Sequence, residues 1–200
     1  MQNTTSDKTS QDNNIEESPS SSKAKSFVKE LIGWIIPMVI AVVAATFINR
    51  CVLINAIIPT GSMLNTIQKD DKLFGFRLAY MFSEPERGDI MIFKNPDNPA
   101  EDYIKRTIGL PGEKITIKDA KIYINDSTTP LDEPYLKEEW IVGTGPYVFN
   151  VPEDCYLMLG DNRNNSKDAR YWENTYVEKE AIVGKAFLIY YPFKNLKLLD

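Results

Sequence analysis

The pattern of polar and apolar positions divides the start of the chain into two contrasting segments. Residues 1–25 are dominated by Ser, Thr, Asn, Gln, Asp and Lys, and Ile15 is their only large apolar residue after Met1. Such a segment cannot bury enough apolar surface to offset the entropy of ordering, so we expect a disordered tail. Residues 31–49 carry no charge and are framed by Glu30 and Arg50.

The apolar segment 31–49 has three interpretations. A cleaved signal peptide is disfavoured, because 30 residues precede the segment and it is longer than the usual apolar region of such a peptide. A buried helix of a soluble protein would need polar positions that are missing. A single uncleaved transmembrane helix fits best, because its 19 residues at about 1.5 Å each nearly match a hydrocarbon core of about 30 Å. We therefore predict an anchor over residues 26–50.

The remainder, residues 51–200, reads as one β-domain. Most of its apolar runs alternate or carry β-branched and aromatic residues, and Gly, Pro and Asn turns separate them. The predicted strands are 52–58, 89–93, 103–108, 114–118, 121–125, 147–151, 155–159 and 181–191. Segment 114–125 reads as a hairpin, and only segment 69–82, interrupted by Gly75, has a helical alternative. The expected fold class is mostly β: an antiparallel β-domain after one N-terminal transmembrane α-helix.

Charge indicates the orientation and limits the partners. Lys23, Lys25 and Lys29 precede the apolar segment, whereas Arg50 is the only nearby base after it. The positive-inside rule then predicts a cytoplasmic N-terminus and an extracytoplasmic β-domain. The net charge of −5, with no stretch dominated by Lys and Arg, disfavours a nucleic-acid partner.

The absence of one residue type restricts the chemistry. The chain has no histidine, which excludes Ser-His-Asp and Cys-His catalytic units and histidine-based metal sites. Cys51 and Cys155 form no CxxC unit, so a zinc site is not expected. We expect both thiols to be free, and a disulfide between them is the alternative. No metal and no cofactor is expected.

A candidate nucleophile and a candidate base lie in separate segments. Ser62 occupies a tight turn, IPTGSMLNTI at 58–67, that closely follows the apolar segment. Without histidine, its base can be a lysine only if burial lowers the amine pKa from about 10.4 by two or more units. Lys105 lies in YIKRTIGLPG, where strand alternation places it on one face with Tyr103 and Thr107. Taken by itself this signal is weak, because a strand lysine is more often a surface residue of an edge strand.

A third segment carries alternating polar groups. In GDNRNNSKDAR, residues 160–170, Ser166, Asp168 and Arg170 are two residues apart and share a face in extended chain. Asp168 and Arg170 can pair, and Ser166 can hydrogen-bond a neutral amine. The alternative is an ordinary solvated loop.

Together, four segments resemble the ordered motif set of type I signal peptidases. They are PTGSM (59–63), RGDIMIF (87–93), YIKRTIGLPGE (103–113) and GDNRNNSKDAR (160–170), and they follow one N-terminal span. The resemblance covers roughly residues 30–190. It implies a serine endopeptidase of the plasma membrane that removes signal peptides from exported preproteins after small residues, at Ala-X-Ala-like sites. The implied partners are those signal peptides and the lipid bilayer, with the secretion channel as a further candidate.

The resemblance also implies roles for individual residues. Ser62 would be the nucleophile and Lys105 the general base. The Ser62 N–H and the Thr60 hydroxyl would form the oxyanion hole, with Thr60 standing where the family usually has serine. The remaining roles are Ser166 orienting the Lys105 amine, Asp168 pairing with Arg170, Met63 packing beneath the nucleophile, and Ile58 with Ile104 lining shallow substrate pockets.

One position departs from the family pattern. The family commonly has proline two residues after the methionine, and Asn65 replaces it here. The chain thereby loses a φ restraint just past the nucleophile, and we expect the asparagine side chain to hold the turn instead.

Two other interpretations compete with this one. A self-cleaving repressor-type protease would use the same pair of residues, but such proteins are soluble and carry a DNA-binding domain. A membrane-tethered β-domain that only binds a partner would have no need for both Ser62 and Lys105.

Overall fold

The computed structural model describes residues 19–199, with side chains from residue 29 onward. The chain divides into two compact units, residues 1–46 and 47–200. Most of the predicted tail, residues 1–18, lies outside the described residues.

The N-terminal element is the helix α1, Pro19–Phe47. It includes residues 19–25, which the sequence pattern assigned to the tail. Its large apolar side chains are exposed all round, with Trp34 75% and Ile40 62% accessible. Segment Lys29–Val52 has a mean hydropathy of 2.5 and, among the described residues, is the one helix long and apolar enough to cross a membrane. Such a surface is stable in lipid rather than in water.

The second unit begins with a short π-helical segment, Ile48–Val52, and continues as a series of strands. The strands are β1 Leu53–Ile57, β2 Lys72–Phe76, β3 Ile90–Asn95, β4 Asn98–Gly109, β5 Lys114–Lys118, β6 Lys121–Ile124, β7 Tyr147–Asn150, β8 Cys155–Leu159, β9 Val177–Glu178, β10 Ile182–Tyr191 and β11 Lys197–Leu198. Single 3₁₀ turns occur at Arg163–Asn165, Lys179–Ala181 and Phe193–Asn195.

The strands form two antiparallel sheets. The larger one has eight strands in the order β1-β2-β10-β3-β4-β8-β9, with β11 paired to β10. The smaller one has the order β6-β5-β7 and contains the predicted hairpin, in which Ile115 pairs with Ile124. The predicted fold class, a mostly β domain after one N-terminal apolar helix, is confirmed.

The helical alternative for segment 69–82 is wrong, because residues 72–76 form strand β2. Leu73 and Gly75 alternate inward, and the strand pairs with β1 on one side and β10 on the other. A side chain at Gly75 would press on Ile92 at 2.8 Å and Ile54 at 3.2 Å, so the glycine admits close packing across the sheet.

The buried apolar side chains form two clusters. One contains Phe93, Ile108 and Leu157 and extends to the tryptophans Trp140 and Trp172. The other contains Ile54, Leu73 and Ile189 from the far side of the larger sheet, together with Ile58, Met63 and Ile67 from the turn after β1. The apolar residues of that turn therefore fix the polar residues between them.

Candidate active site

The turn that carries Ser62 is held by its own backbone and by buried neighbours. The Leu64 N–H donates to the Gly61 carbonyl at 3.2 Å, and the Ile67 N–H donates to the Met63 carbonyl at 2.8 Å. Met63, which directly follows Ser62, and Ile67 are fully buried in the second cluster. Ser62 itself is only 7% exposed, so the turn is fixed rather than free in solvent.

Lys105 reaches Ser62 from strand β4. Its Nζ lies 2.7 Å from Ser62 Oγ and 3.1 Å from the Ile104 carbonyl oxygen, and the residue is 4% exposed. The amine also lies 5.3 Å from the centre of the Tyr103 ring. The structure therefore brings together the two residues that the sequence singled out, 43 positions apart.

Burial sets the ionisation of this lysine. Desolvation lowers the pKa of the Lys105 amine from 10.5 to about 8, while the charges of Asp168 and Asp161 partly oppose that change. A neutral amine is consequently available near physiological pH. A surface lysine, the alternative left open by the sequence, would remain charged there.

Thr60 lies on the exposed side of the same turn. Its hydroxyl oxygen is 3.5 Å from Ser62 Oγ, at the outer limit of a hydrogen bond. The Thr60 hydroxyl and the Ser62 N–H therefore belong to one short segment beside the nucleophile.

The 160–170 loop places an ion pair behind the lysine. Asp168 and Arg170 are joined by two hydrogen bonds, of 2.8 and 2.9 Å, and both side chains are fully buried. Asp168 also accepts a 3.0 Å hydrogen bond from the Gly160 N–H, which closes the loop on itself. A carboxylate paired in this way is fixed in position and largely neutralised.

Ser166 is buried beside the pair, but it does not bind the lysine. Its hydroxyl has no hydrogen-bond partner among the described residues, and the amine of Lys105 bonds to Ser62 and Ile104 instead. The expected hydrogen bond from Ser166 to Lys105 is thus not formed. A side chain at Gly160 would collide with Ser166 Oγ and the Ser62 carbonyl, so the loop packs tightly against the nucleophile turn.

A second buried ion pair lies beside the first. Arg106 donates from Nε and Nη2 to both carboxylate oxygens of Asp161, at 2.9 and 2.8 Å, and from Nη1 to the Gly88 carbonyl at 2.7 Å. The Thr66 hydroxyl donates to the same carboxylate. The sequence analysis assigns no role to Arg106 or Asp161, although both belong to the quoted motifs. They are 55 positions apart, so no local sequence pattern predicts their pairing.

Asn162 ties the loop directly to the nucleophile turn. Its side-chain amide donates to the Gly61 carbonyl at 2.8 Å, and its backbone N–H donates to the Ser62 carbonyl at 3.0 Å. Apart from the Gly-Asp-Asn turn itself, no sequence pattern predicts this contact. It fixes the backbone on either side of the Ser62 N–H.

An open cleft of about 610 Å³ lies over these groups. It is lined by the predicted pocket residues Ile58 and Ile104, by Thr60, Ser62 and Lys105, and by charged residues at the rim that include Glu101 and Lys167. Within the part of the chain that the structure describes, no group of three or more His, Cys, Asp and Glu side chains is suited to a metal ion. Cys51 and Cys155 are free thiols.

Fold and site together define a class. An apolar membrane-type helix followed by an antiparallel β-domain, with a serine and a buried lysine in an open cleft, is the arrangement of a membrane-bound hydrolase. The model of the family "Signal peptidase, peptidase S26" matches residues 31–191. The chain therefore belongs to the signal peptidase family.

Two relatives of similar length agree with that assignment, and one solved structure was also matched. Signal peptidase I of Leptolyngbya laminosa is 38% identical over 164 residues, which are 78% of each chain. Signal peptidase I of Bacillus licheniformis is 33% identical over 178 residues, 85% of this chain and 94% of the relative. The crystal structure of a signal peptidase I from Enterococcus faecalis is 33% identical and covers 52% of this chain and 97% of its own, with a TM-score of 0.42.

Proposed function

We propose that this chain is a membrane-bound serine endopeptidase that removes N-terminal signal peptides from exported preproteins through a Ser62/Lys105 dyad. The observation that carries the proposal is the 2.7 Å approach of the buried Lys105 amine to Ser62 Oγ. A serine hydroxyl is a weak nucleophile until an adjacent base accepts its proton, and a desolvated lysine is such a base. The named relatives are signal peptidases, which supports signal peptides as the substrate class.

The first half-reaction forms an acyl-enzyme. Neutral Lys105 accepts the Ser62 proton as Oγ attacks the scissile carbonyl carbon. The negative charge on the carbonyl oxygen is stabilised by the Ser62 N–H and the Thr60 hydroxyl. When the tetrahedral intermediate collapses, the C–N bond breaks and the Lys105 ammonium donates its proton to the departing amine, which is the new N-terminus of the mature protein.

The second half-reaction releases the signal peptide. Lys105, neutral again, accepts a proton from water as that water attacks the acyl carbon. The Ser62–acyl bond breaks and the proton returns to Ser62 Oγ. The 3.1 Å hydrogen bond from Lys105 Nζ to the Ile104 carbonyl holds the amine in place through both steps. Met63 is fully buried beneath the turn, and its packing holds Ser62 in position.

Specificity arises from the cleft and from the edge of the sheet. Strand β1 lies at one edge of the larger sheet, so an extended peptide can add beside the chain that runs from β1 into the Ser62 turn. Ile58 and Ile104 line the cleft together with Ser62 and Lys105. Apolar pockets bounded by these side chains select small residues at the −1 and −3 positions of the substrate, which is the Ala-X-Ala-like rule.

The membrane setting completes the proposal. The apolar helix anchors the chain in the plasma membrane, and the three lysines before it keep the N-terminus in the cytoplasm. The catalytic domain then lies on the extracytoplasmic side, where exported preproteins emerge from the secretion channel. The lipid bilayer is therefore a partner, and the channel is a further one.

The direct test is cleavage of a preprotein by the purified full chain in detergent. Wild type should cut after the small residue at −1, and a substrate with a bulky residue at −1 or −3 should remain intact. Ser62→Ala and Lys105→Ala should each abolish cleavage. Ser127→Ala and Lys114→Ala are matched controls, because both residues are partly or fully exposed on the smaller-sheet side and should leave the rate unchanged. Full activity in Lys105→Ala would contradict the proposed Ser62/Lys105 dyad.

A further inference from the structure

Asn65, the position that departs from the family pattern, has an unusual backbone conformation. Its φ is +85°, in the left-handed region that asparagine and glycine tolerate and that proline, fixed near −65°, cannot adopt. The turn after Ser62 is therefore built differently here from a turn with proline at this position. Asparagine therefore suits this position through its backbone as well as through its side chain.

The Asn65 side chain reaches a distant segment. Its Nδ2 donates to the Tyr135 carbonyl at 3.1 Å and to the Leu136 carbonyl at 3.4 Å. These carbonyls belong to a segment between β6 and β7, residues 133–143, which we call the strap. The strap contains no strand.

The strap is joined to the 160–170 loop by a buried ion pair and by aromatic contacts. Glu133 accepts hydrogen bonds of 2.6 and 3.2 Å from Arg163, and their side chains are only 6% and 2% exposed. The Trp140 ring lies 4.9 Å from the Arg163 guanidinium and 5.3 Å from that of Arg170. The loop that supplies Asp168 and Ser166 is thus braced by the strap.

Two further contacts complete the brace. The Tyr135 ring lies 4.0 Å from the guanidinium of Arg106, which is the partner of Asp161. Asn164 accepts hydrogen bonds from the Ile141 and Val142 N–H groups at 2.8 and 3.0 Å. The strap therefore contacts both buried ion pairs that flank Lys105, and Asn65 is its hydrogen-bonded link to the nucleophile turn.

We propose that Asn65 is a positioning residue, which clamps the turn after Ser62 to the strap so that Oγ stays in line with the Lys105 amine. Asn162 fixes the turn on the side of Gly61 and Ser62, and Asn65 fixes it three residues later. The inference rests on the proposed function, since it concerns the alignment of the same dyad. The two Asn65 hydrogen bonds are solvent-exposed, so they contribute little to global stability and their effect on alignment can be separated from folding.

Three variants test the clamp. Asn65→Gly keeps access to positive φ but removes the amide, and Asn65→Pro removes both. Asn125→Gly is the matched control: Asn125 also has a positive φ, of 50°, and its side chain also makes a backbone contact, but with Lys114 on the smaller sheet. The readouts are kcat and KM on a preprotein at 25 °C, thermal unfolding, and hydrogen–deuterium exchange over residues 61–67 and 133–143.

Asn65→Gly should lower kcat about 10-fold, because misplacing a nucleophile by a fraction of an ångström has effects on this scale. KM should stay within about 2-fold, since the cleft walls are unchanged, and Tm should stay within a few degrees. Exchange should become faster over residues 61–67. Asn65→Pro should lower kcat further, on the order of 10²-fold, although proline is what the family commonly carries. Asn125→Gly should match wild type in kcat.

Several outcomes would overturn the clamp. Wild-type kcat in Asn65→Gly would do so, as would wild-type activity in Asn65→Pro or an equal loss in Asn125→Gly. A lowered Tm with unchanged kcat would show a purely structural role. If wild type does not cleave the preprotein, the proposed function fails, and unchanged exchange over residues 61–67 in Asn65→Gly decides separately against the clamp.

Discussion

At the scale of single residues, the ionisation of Lys105 depends on how nearby carboxylates are used. Asp168 and Asp161 both favour its charged form, yet each is held by an arginine through two hydrogen bonds. An unpaired carboxylate at either position would keep the amine protonated more strongly. Arg170 and Arg106 neutralise the two acids, so desolvation prevails and the pKa of the lysine falls.

The residue-scale prediction is a pH–rate profile governed by Lys105. As the proposed base, Lys105 acts in its neutral form, whose fraction rises as the pH passes through a pKa of about 8. We expect kcat/KM to increase about 10-fold per pH unit well below 8 and to level off above it. The measurement is initial cleavage rates from pH 6 to 10, with circular dichroism at each pH to confirm folding. A rate that is flat from pH 6 to 9 would contradict the assignment of Lys105 as base.

At the scale of elements, strand β4 and the 160–170 loop create the site between them. β4 pairs with β3 on one side and β8 on the other, so Lys105 and Arg106 project from the interior of the larger sheet. The loop follows β8 directly and contributes Asn165 and Lys167 to the lining of the cleft. Asp168 closes the loop through the Gly160 N–H and through Arg170.

The element-scale prediction concerns this closure. Asp168→Asn leaves the buried Arg170 guanidinium without its counter-charge, which we expect to lower the free energy of unfolding by about 3–5 kcal/mol. Asp126→Asn is the control, because Asp126 pairs with Lys114 but is 71% exposed, and such surface pairs contribute about 0–1 kcal/mol. Urea denaturation of both variants measures the difference. Equal midpoints for the two would show that the buried pair is not what holds the loop.

The sequence predicts an element well when the element has a local hydrophobic pattern, and poorly when tertiary contacts determine its conformation. Strands β5 and β8 coincide with the predicted segments 114–118 and 155–159. The apolar residues of β5 alternate with polar ones, and β8 is a short continuous apolar run; both patterns are typical of strands. β2 was not predicted because Gly75 breaks the pattern and its strand conformation comes from pairing on both sides. The strap was not anticipated either, since an irregular segment has no period and its contacts are with arginines distant in sequence.

The same distinction applies to the candidate site. The histidine-free composition and the quoted motifs were sufficient to select Ser62 and Lys105 as candidates. Their approach across 43 residues requires the sheet register, which a single sequence does not contain. The contacts of Arg106 with Asp161 and of Asn65 with Tyr135 are likewise tertiary. The predicted bond between Ser166 and Lys105 is not formed, and Ser166 Oγ has no hydrogen-bond partner among the described residues.

At the scale of the whole molecule, one helix determines where the catalytic domain can act. By the positive-inside rule, the charges that flank the apolar segment are expected to set the side of the membrane on which the β-domain lies. Lys23, Lys25 and Lys29 precede that segment and Arg50 follows it. A domain on the wrong side of the bilayer would never meet an emerging signal peptide.

The orientation is the last prediction, and labelling of single cysteines tests it. In a background with Cys51→Ser and Cys155→Ser, a cysteine introduced by Lys121→Cys lies on the exposed side of β6, whereas one introduced by Ser6→Cys lies in the N-terminal segment. A membrane-impermeant maleimide should label the β6 cysteine in intact spheroplasts and the Ser6 position only after permeabilisation, because the three lysines retain the N-terminus inside. The reverse pattern would place the cleft in the cytoplasm and leave the proposed substrates out of its reach.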